Sequence, residues 1–252
     1  MTFATHLPLA LYALGITTAE VLGVVLGPTP STTLHALLIL IMLSHYTVAS
    51  DSPLRCTIPA LVLAPLLRIL SYLMPLPQVS QLYWHVLIGL PLLVAAALVA
   101  RLLHWSPFEV RLTRRDLGLQ LLIGLTGLPL GIIAWGIQHP EPLIRTTSWP
   151  VLVPGVLILS ICSAFAEELI FRGLLQHTLT AAVGRAGIVY TTVIFTSLYI
   201  GSVSLSYVLF VAMIGLYLSW CVQRTGSIWG VVLTHACLIS GLLIVWPFTF
   251  GY

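Results

Sequence analysis

Two adjacent glutamates and an arginine lie inside one apolar segment of this chain, at positions Glu167, Glu168 and Arg172. Charged side chains within a membrane-spanning helix are costly, so each of them is a candidate functional residue. Adjacent helical residues lie about 100° apart, whereas residues four positions apart share a face. We therefore predict an ion pair between Glu168 and Arg172. Glu167 then lies on a neighbouring face, free to meet another helix and to act as a general base toward water.

The alternative is that the three charges mark the end of a helix and reach the lipid headgroups. Helix geometry provides a test, because each residue advances a helix by about 1.5 Å. A helix that begins near residue 150 brings Glu167 roughly 25 Å across the membrane. His235 lies roughly 10 Å, and Tyr199 roughly 18 Å, from the side assigned below to the cytoplasm. The sequence thus allows Glu167 and His235 to meet inside the membrane.

The composition requires a membrane to surround these residues. Of the 252 residues 59% are hydrophobic and only 7% are charged, which excludes a soluble enzyme, a nucleic-acid-binding protein and a disordered chain as main interpretations. We predict an all-α, polytopic membrane helical bundle with about eight or nine transmembrane helices. Residues 1–149 form the N-terminal helices and residues 150–247 form a second helical core. The apolar runs cover residues 7–27, 33–50, 57–76, 82–103, 117–137, 150–180, 187–200, 205–223 and 228–247.

The arginines predict the orientation of the chain, because basic residues in short loops stay in the cytoplasm. The densest group lies between Arg101 and Asp116, so we place this loop and the N-terminus inside the cell and expect a plasma-membrane protein. Residues 105–116 form either a short interfacial helix or a plain charged loop. Seven of the eight loop arginines then face the cytoplasm, namely Arg55, Arg101, Arg111, Arg114, Arg115, Arg185 and Arg224, and Arg145 faces outward.

Three sequence blocks resemble the CPBP intramembrane proteases. They are Glu167-Glu168-x-x-x-Arg172, a following helix with Phe195, and Gly226-Ser227-Ile228-Trp229 leading to His235. The family includes type II CAAX prenyl proteases and bacteriocin-processing, ABI-like proteins, and the resemblance covers about residues 150–240. It implies EExxxR, FxxxH and HxxxN motifs on successive helices around a cytoplasm-facing cavity. There a glutamate and two histidines hydrolyse a peptide bond with water.

Carried over by position, the resemblance makes Glu167 the catalytic base and aligns Arg172 and His235 with the arginine of the first motif and the histidine of the third. Two positions depart from the motifs, since Tyr199 stands where the second histidine is expected and Ile239 where the asparagine is expected. Both changes remove a polar group from the expected site.

These departures weaken the case for a bound divalent metal such as zinc, for which Glu167 and His235 are the candidate ligands. A catalytic zinc ion normally has three protein ligands. Here one glutamate, Glu167 or Glu168, and His235 could supply two of them, and the remaining candidate, Tyr199, is a poor zinc ligand. A route without metal remains open, in which Glu167 activates water while His235 and the Tyr199 hydroxyl donate to the oxyanion.

Three functions are therefore considered. The first is an intramembrane endopeptidase at the cytoplasmic face, acting on a membrane protein or a lipidated peptide in the lipid bilayer. The second is an inactive CPBP-fold protein that scaffolds or binds another membrane protein or a lipid. The third is a transporter that uses Glu20, Arg68 and Glu167 as a relay, for which neither a repeated half nor paired broken helices are found. Glu20 and Arg68 could instead pair with each other, and His35, His45 and His85 are expected to be helix-packing residues.

Overall fold

The computed structural model describes residues 3–49, 54–74 and 76–251, and every regular element in these ranges is helical. Seven of the described helices are long and apolar enough to cross a membrane, and two apolar helices are shorter. The polytopic helical bundle is therefore confirmed. The helices are α1 Phe3–Leu26, α2 Pro28–Val48, α3 Thr57–Tyr72, α4 Gln81–Leu102, α5 Leu117–Gln138, α6 Trp149–Val183, α7 Ala186–Ser197, α8 Leu205–Thr225 and α9 Trp229–Phe250.

Glycine marks several helix ends because it tolerates backbone angles that other residues avoid. The α8 helix ends at Gly226, whose φ of 68° and backbone N–H bonded to the carbonyl of Val222 form a left-handed cap. Gly27, with φ of 92°, separates α1 from α2, which begins at Pro28. These breaks turn one long apolar sequence into separate spans.

All nine helices run between two ends of the bundle. At one end the loop of residues 103–116 contacts the α8–α9 junction, where Arg111 donates to the Val222 carbonyl and Thr113 to the Gly226 carbonyl. The N-terminal part of α1 lies at the same end, since His6 contacts Tyr190 near the start of α7. We call this the arginine end, because seven of the eight loop arginines lie there along the chain.

The loop of residues 103–116 is irregular, so the alternative of an interfacial helix is wrong and the charged loop is found. His104, Arg111 and Asp116 have positive φ angles, which interrupt helix formation. The Glu109 carboxylate accepts hydrogen bonds from the backbone N–H and the hydroxyl of Ser106. These two hydrogen bonds stabilise the charged carboxylate and hold the pKa of Glu109 below its usual value. The bond from the backbone N–H has the larger effect.

Close helix contacts position the elements of the site. The parallel helices α4 and α6 meet at Gly89, where an added Cβ would lie 2.0 Å from the Cys162 carbonyl oxygen. The parallel helices α5 and α9 meet at Gly127, where an added Cβ would lie 2.2 Å from the Thr234 carbonyl oxygen. Small residues let membrane helices approach in this way.

A substitution at Gly89 tests the contact between α4 and α6. We expect Gly89→Ala to destabilise the protein by about 1–3 kcal/mol, because the backbone of α6 must shift to accept the methyl group. Gly136→Ala is the matched control, since an added Cβ there meets nothing within 4 Å. Thermal unfolding in detergent should separate the two variants, and equal unfolding temperatures would contradict the described contact.

Candidate active site

The α6 helix carries the paired glutamates between two π-helical turns. These turns cover Leu159–Phe165 and Leu169–Leu175, and Ala166–Glu168 lies between them in α-helical geometry. A π-helical turn widens the helix and rotates the residues that follow it, and such turns are frequent at functional sites. The rotation sets which faces of α6 the two carboxylates occupy.

Glu168 is the centre of a fully buried ionic network. Its Oε1 accepts from Arg172 Nη1 at 3.1 Å, so the structure contains the ion pair expected from the spacing. The same oxygen lies 2.8 Å from Nδ1 of His235 on α9. The side chains of Glu168 and Arg172 are 0% exposed and that of His235 is 8% exposed. This network fixes the His235 ring relative to α6.

Arg172 also contacts the aromatic core of the bundle. Its Cζ lies 4.1 Å from the centre of the Phe195 ring on α7, a cation–π geometry. The guanidinium also lies near Gly215 on α8, where an added Cβ would be at ordinary contact distance, 3.7 Å from Arg172 Nη2. Arg172 therefore joins three helices at the level of the site.

Glu167 occupies the neighbouring face of α6 and meets the turn that follows α7. The Tyr199 hydroxyl donates to Glu167 Oε2 at 3.1 Å. Tyr199, at the position of the second motif, therefore contacts the carboxylate directly. Glu167 is half-buried, whereas Glu168 is fully buried, so only Glu167 of the pair has access to the cavities beside the site.

Glu167 lines three cavities, and the two larger ones are also lined by Tyr199. The inner cavity has a volume of about 280 Å³ and is lined by Glu167, Tyr199 and His235 together with apolar side chains of α8 and α9. Ile239 also lines it, so the position of the third-motif asparagine presents an apolar surface. The inner cavity thus joins three of the five predicted catalytic residues, while Glu168 and Arg172 lie behind it.

The outer cavity has a volume of about 550 Å³ and is lined by Glu167, Tyr199, Arg68, Tyr72 and residues 201–203 among others. It lies where α1, α3 and α7 end, and these helices start at the arginine end. The outer cavity therefore lies toward the ends of α1, α3 and α7 that are away from the arginine end.

Comparison with known proteins agrees with the sequence resemblance. Residues 148–239 match a family model described as type II CAAX prenyl endopeptidase Rce1-like. We refer to residues 148–239 as the Rce1-like domain because of this similarity. It spans less than half of the chain and contains all five predicted catalytic residues. No curated protein and no solved structure matches the chain significantly.

The Rce1-like domain shares its cavities with helices outside the matched segment. His85 on α4 lines the inner cavity, and its Nδ1 lies 2.7 Å from the Ser163 hydroxyl. This bond between α4 and α6 agrees with the expectation that His85 is a helix-packing residue, and His85 lines the same cavity as Glu167 in addition. Arg68 on α3 lines the outer cavity. The sequence marked both residues only as ionisable groups inside apolar helices, and it did not reveal that they line cavities shared with Glu167.

A divalent metal does not fit the donor groups of the Rce1-like domain. His235 faces Glu168 through Nδ1, while Glu167 is bonded to Tyr199. Among the residues that the structure describes, no group of three His, Cys, Asp or Glu side chains is placed to hold a metal ion. A zinc site with three protein ligands is therefore not formed by these side chains.

Proposed function

We propose that the protein is an intramembrane endopeptidase, in which Glu167 activates a water molecule for attack on a peptide bond. The observation that carries the proposal is the position of Glu167, a half-buried carboxylate between two cavities that contacts Tyr199 and shares the inner cavity with His235. The Rce1-like match of the same segment supports this reaction class. The bundle implies a lipid environment, so the substrate is a membrane protein or a lipidated peptide.

The reaction needs a base and donors to the developing oxyanion. Glu167 takes a proton from water, and the hydroxide forms a bond to the substrate carbonyl carbon. The carbonyl oxygen becomes an oxyanion that accepts from Nε2–H of the His235 imidazolium and from the Tyr199 hydroxyl, which turns from Glu167 to the oxyanion once Glu167 is protonated. The carbon–nitrogen bond then breaks, and the proton held by Glu167 passes to the leaving amine. The bond to Glu168 positions His235 for this role.

In this proposal the N-terminus is cytoplasmic, in the plasma membrane, because seven of eight loop arginines lie at its end of the bundle. The outer cavity then opens on the non-cytoplasmic side, and substrates approach Glu167 from there. This replaces the cytoplasm-facing cavity implied by the resemblance.

Cysteine labelling tests the orientation. In a variant without Cys56, Cys162, Cys221 and Cys237, we expect Val203→Cys to react with a membrane-impermeant maleimide added to intact cells. Val203 is 75% exposed at the mouth of the outer cavity, and Phe108, 63% exposed at the arginine end, is the matched position. Phe108→Cys should react only after permeabilisation. The reverse pattern would place the cavity in the cytoplasm and overturn the arginine-based orientation.

The proposed activity is tested with the purified protein in lipid nanodiscs. Membrane fractions from cells with and without the protein are first compared for new protein N-termini, which identifies candidate substrates. We expect the purified protein to generate the same N-termini from the isolated substrates. Failure to cleave any of them would reject the proposal in favour of the non-catalytic, partner-binding alternative.

A further inference from the structure

The outer cavity holds a second charged group that the proposed reaction does not use. Arg68 lies on α3, outside the Rce1-like segment, and its side chain is 15% exposed. It lines the cavity together with Glu167. Among the described residues that line this cavity, Arg68 is the single arginine and Glu167 the single carboxylate. The two charges thus share one space of about 550 Å³, a size suited to a small ligand or a short peptide segment.

The Nε edge of the Arg68 guanidinium contacts a carboxylate that does not line the cavity. Its Nε lies 2.6 Å from Oε1 of Glu20 on α1, and the same oxygen lies 3.1 Å from Nε2 of His35 on α2. Glu20 and His35 are both 0% exposed and do not line the cavity. The counter-ion is therefore buried in the helix interface while part of the guanidinium is exposed.

The other edge of the guanidinium faces the cavity wall. Nη2 donates to the Tyr72 hydroxyl at 3.1 Å, and Cζ lies 4.6 Å from the centre of the Tyr72 ring. On the opposite side Gly201 approaches closely, since an added Cβ there would lie 3.4 Å from Nη2. The guanidinium is thus held by Glu20 on α1 and by Tyr72 on its own helix, and donor capacity is left on its Nη groups.

We infer that Arg68 binds a carboxylate of the substrate peptide, from either its free C-terminus or an acidic side chain. A guanidinium fixed at one edge by a buried carboxylate presents its remaining N–H donors in the geometry that a second carboxylate accepts. Low exposure within a membrane strengthens such a contact. The inference rests on the proposed function and adds to it a substrate class, namely peptides with a carboxylate near the bond that faces Glu167.

Binding measurements on the Glu167→Gln protein in nanodiscs test this inference without hydrolysis of the probe. Three probes are compared: an N-acetylated apolar tripeptide as the free acid, the same tripeptide as its amide, and the amide with one aspartate. We expect the free acid or the aspartate amide to bind about ten-fold or more tightly than the apolar amide. Preference for the free acid assigns the carboxylate to a C-terminus, and preference for the aspartate amide assigns it to a side chain.

Removal of the guanidinium should abolish this preference. Because Arg68→Gln alone leaves the Glu20 carboxylate buried without its arginine, the test variant is Glu20→Gln/Arg68→Gln, and Arg68→Lys is a second variant that keeps the charge. We expect the acid-to-amide affinity ratio to fall to about one in the double variant and to fall in part in Arg68→Lys. Arg224→Gln, at the arginine end, is the control and should keep the full ratio.

Two outcomes separate this inference from the proposed function. A ratio near one in Glu167→Gln, or a ratio kept in both Arg68 variants, overturns the carboxylate site even if the wild type cleaves peptides. A ratio that depends on Arg68 while the wild type cleaves none of its substrates overturns the peptidase and supports the carboxylate site.

Discussion

Glu167→Gln is expected to lower the turnover of a cleavable substrate by about 10² to 10⁴-fold, the range that loss of a general base typically produces. Glutamine has nearly the same shape, and its amide oxygen can still accept from the Tyr199 hydroxyl, but it cannot take a proton from water. The loss should appear in kcat with little change in KM, because the carboxylate acts on water in the transition state. Initial rates in nanodiscs over a range of substrate concentrations measure both constants.

Glu141→Gln is the matched control for this experiment. Glu141 is exposed in the loop between α5 and α6, outside both cavities, so its substitution should leave kcat unchanged. Equal turnover by Glu167→Gln and the wild type would reject the mechanism. A large loss in Glu168→Gln together with full activity in Glu167→Gln would instead reverse the roles of the two carboxylates.

The positions of the helices follow closely from the sequence. Each of the nine apolar runs corresponds to a described helix, because the hydrocarbon thickness demands long apolar segments with internally bonded backbones. The length of one of the two shorter helices was overestimated. The run at 57–76 extends beyond the helix Thr57–Tyr72, whereas the run at 187–200 overlaps the helix Ala186–Ser197 and the short 3-10 turn Ile200–Ser202 that follows it. Apolar composition alone does not mark such an early end.

The site was predictable only where its contacts are local in sequence. The Glu168–Arg172 pair follows from the four-residue spacing on one helix. That His235 bonds to Glu168 depends on the rotation of α6, which the π-helical turns alter and residue spacing does not reveal. His85 reaches the site because Gly89 lets α4 pack against the α6 backbone. Contacts between helices distant in the chain are set by packing, which has no short sequence pattern.

The position of the outer cavity could not be predicted from the sequence for the same reason. Arginine counts predict which ends of the helices share a side, and the described loops agree with that grouping. The position of a cavity depends on how helices distant in the chain pack together, and here residues near the ends of α1, α3 and α7 line the outer cavity. Which side of the membrane this cavity faces is tested by the cysteine labelling proposed above.

Arg172→Met is expected to destabilise the protein by about 3–5 kcal/mol, the range found when one partner of a buried ion pair is removed. Arg172 and Glu168 are both 0% exposed, so the variant leaves a buried carboxylate whose remaining described partner is His235. Methionine fills much of the space but loses the contact with the Phe195 ring. Equilibrium unfolding in mixed micelles measures the free energy. The control is Arg224→Met, at the arginine end beside Trp220, where we expect a change below about 1 kcal/mol.

The double variant Glu168→Gln/Arg172→Met separates two contributions to the destabilisation, namely the unpaired buried carboxylate and the lost packing of the arginine side chain. If the unpaired buried carboxylate causes most of the loss in unfolding free energy, the double variant should regain most of that free energy. The neutral amide of Gln at position 168 can still accept a hydrogen bond from His235. Its activity should stay low, because the neutral amide holds His235 less firmly than the carboxylate does. Recovery of stability without activity would assign the Glu168–Arg172 pair to positioning His235. Equal stability of the single variant and the wild type would contradict the buried ion pair.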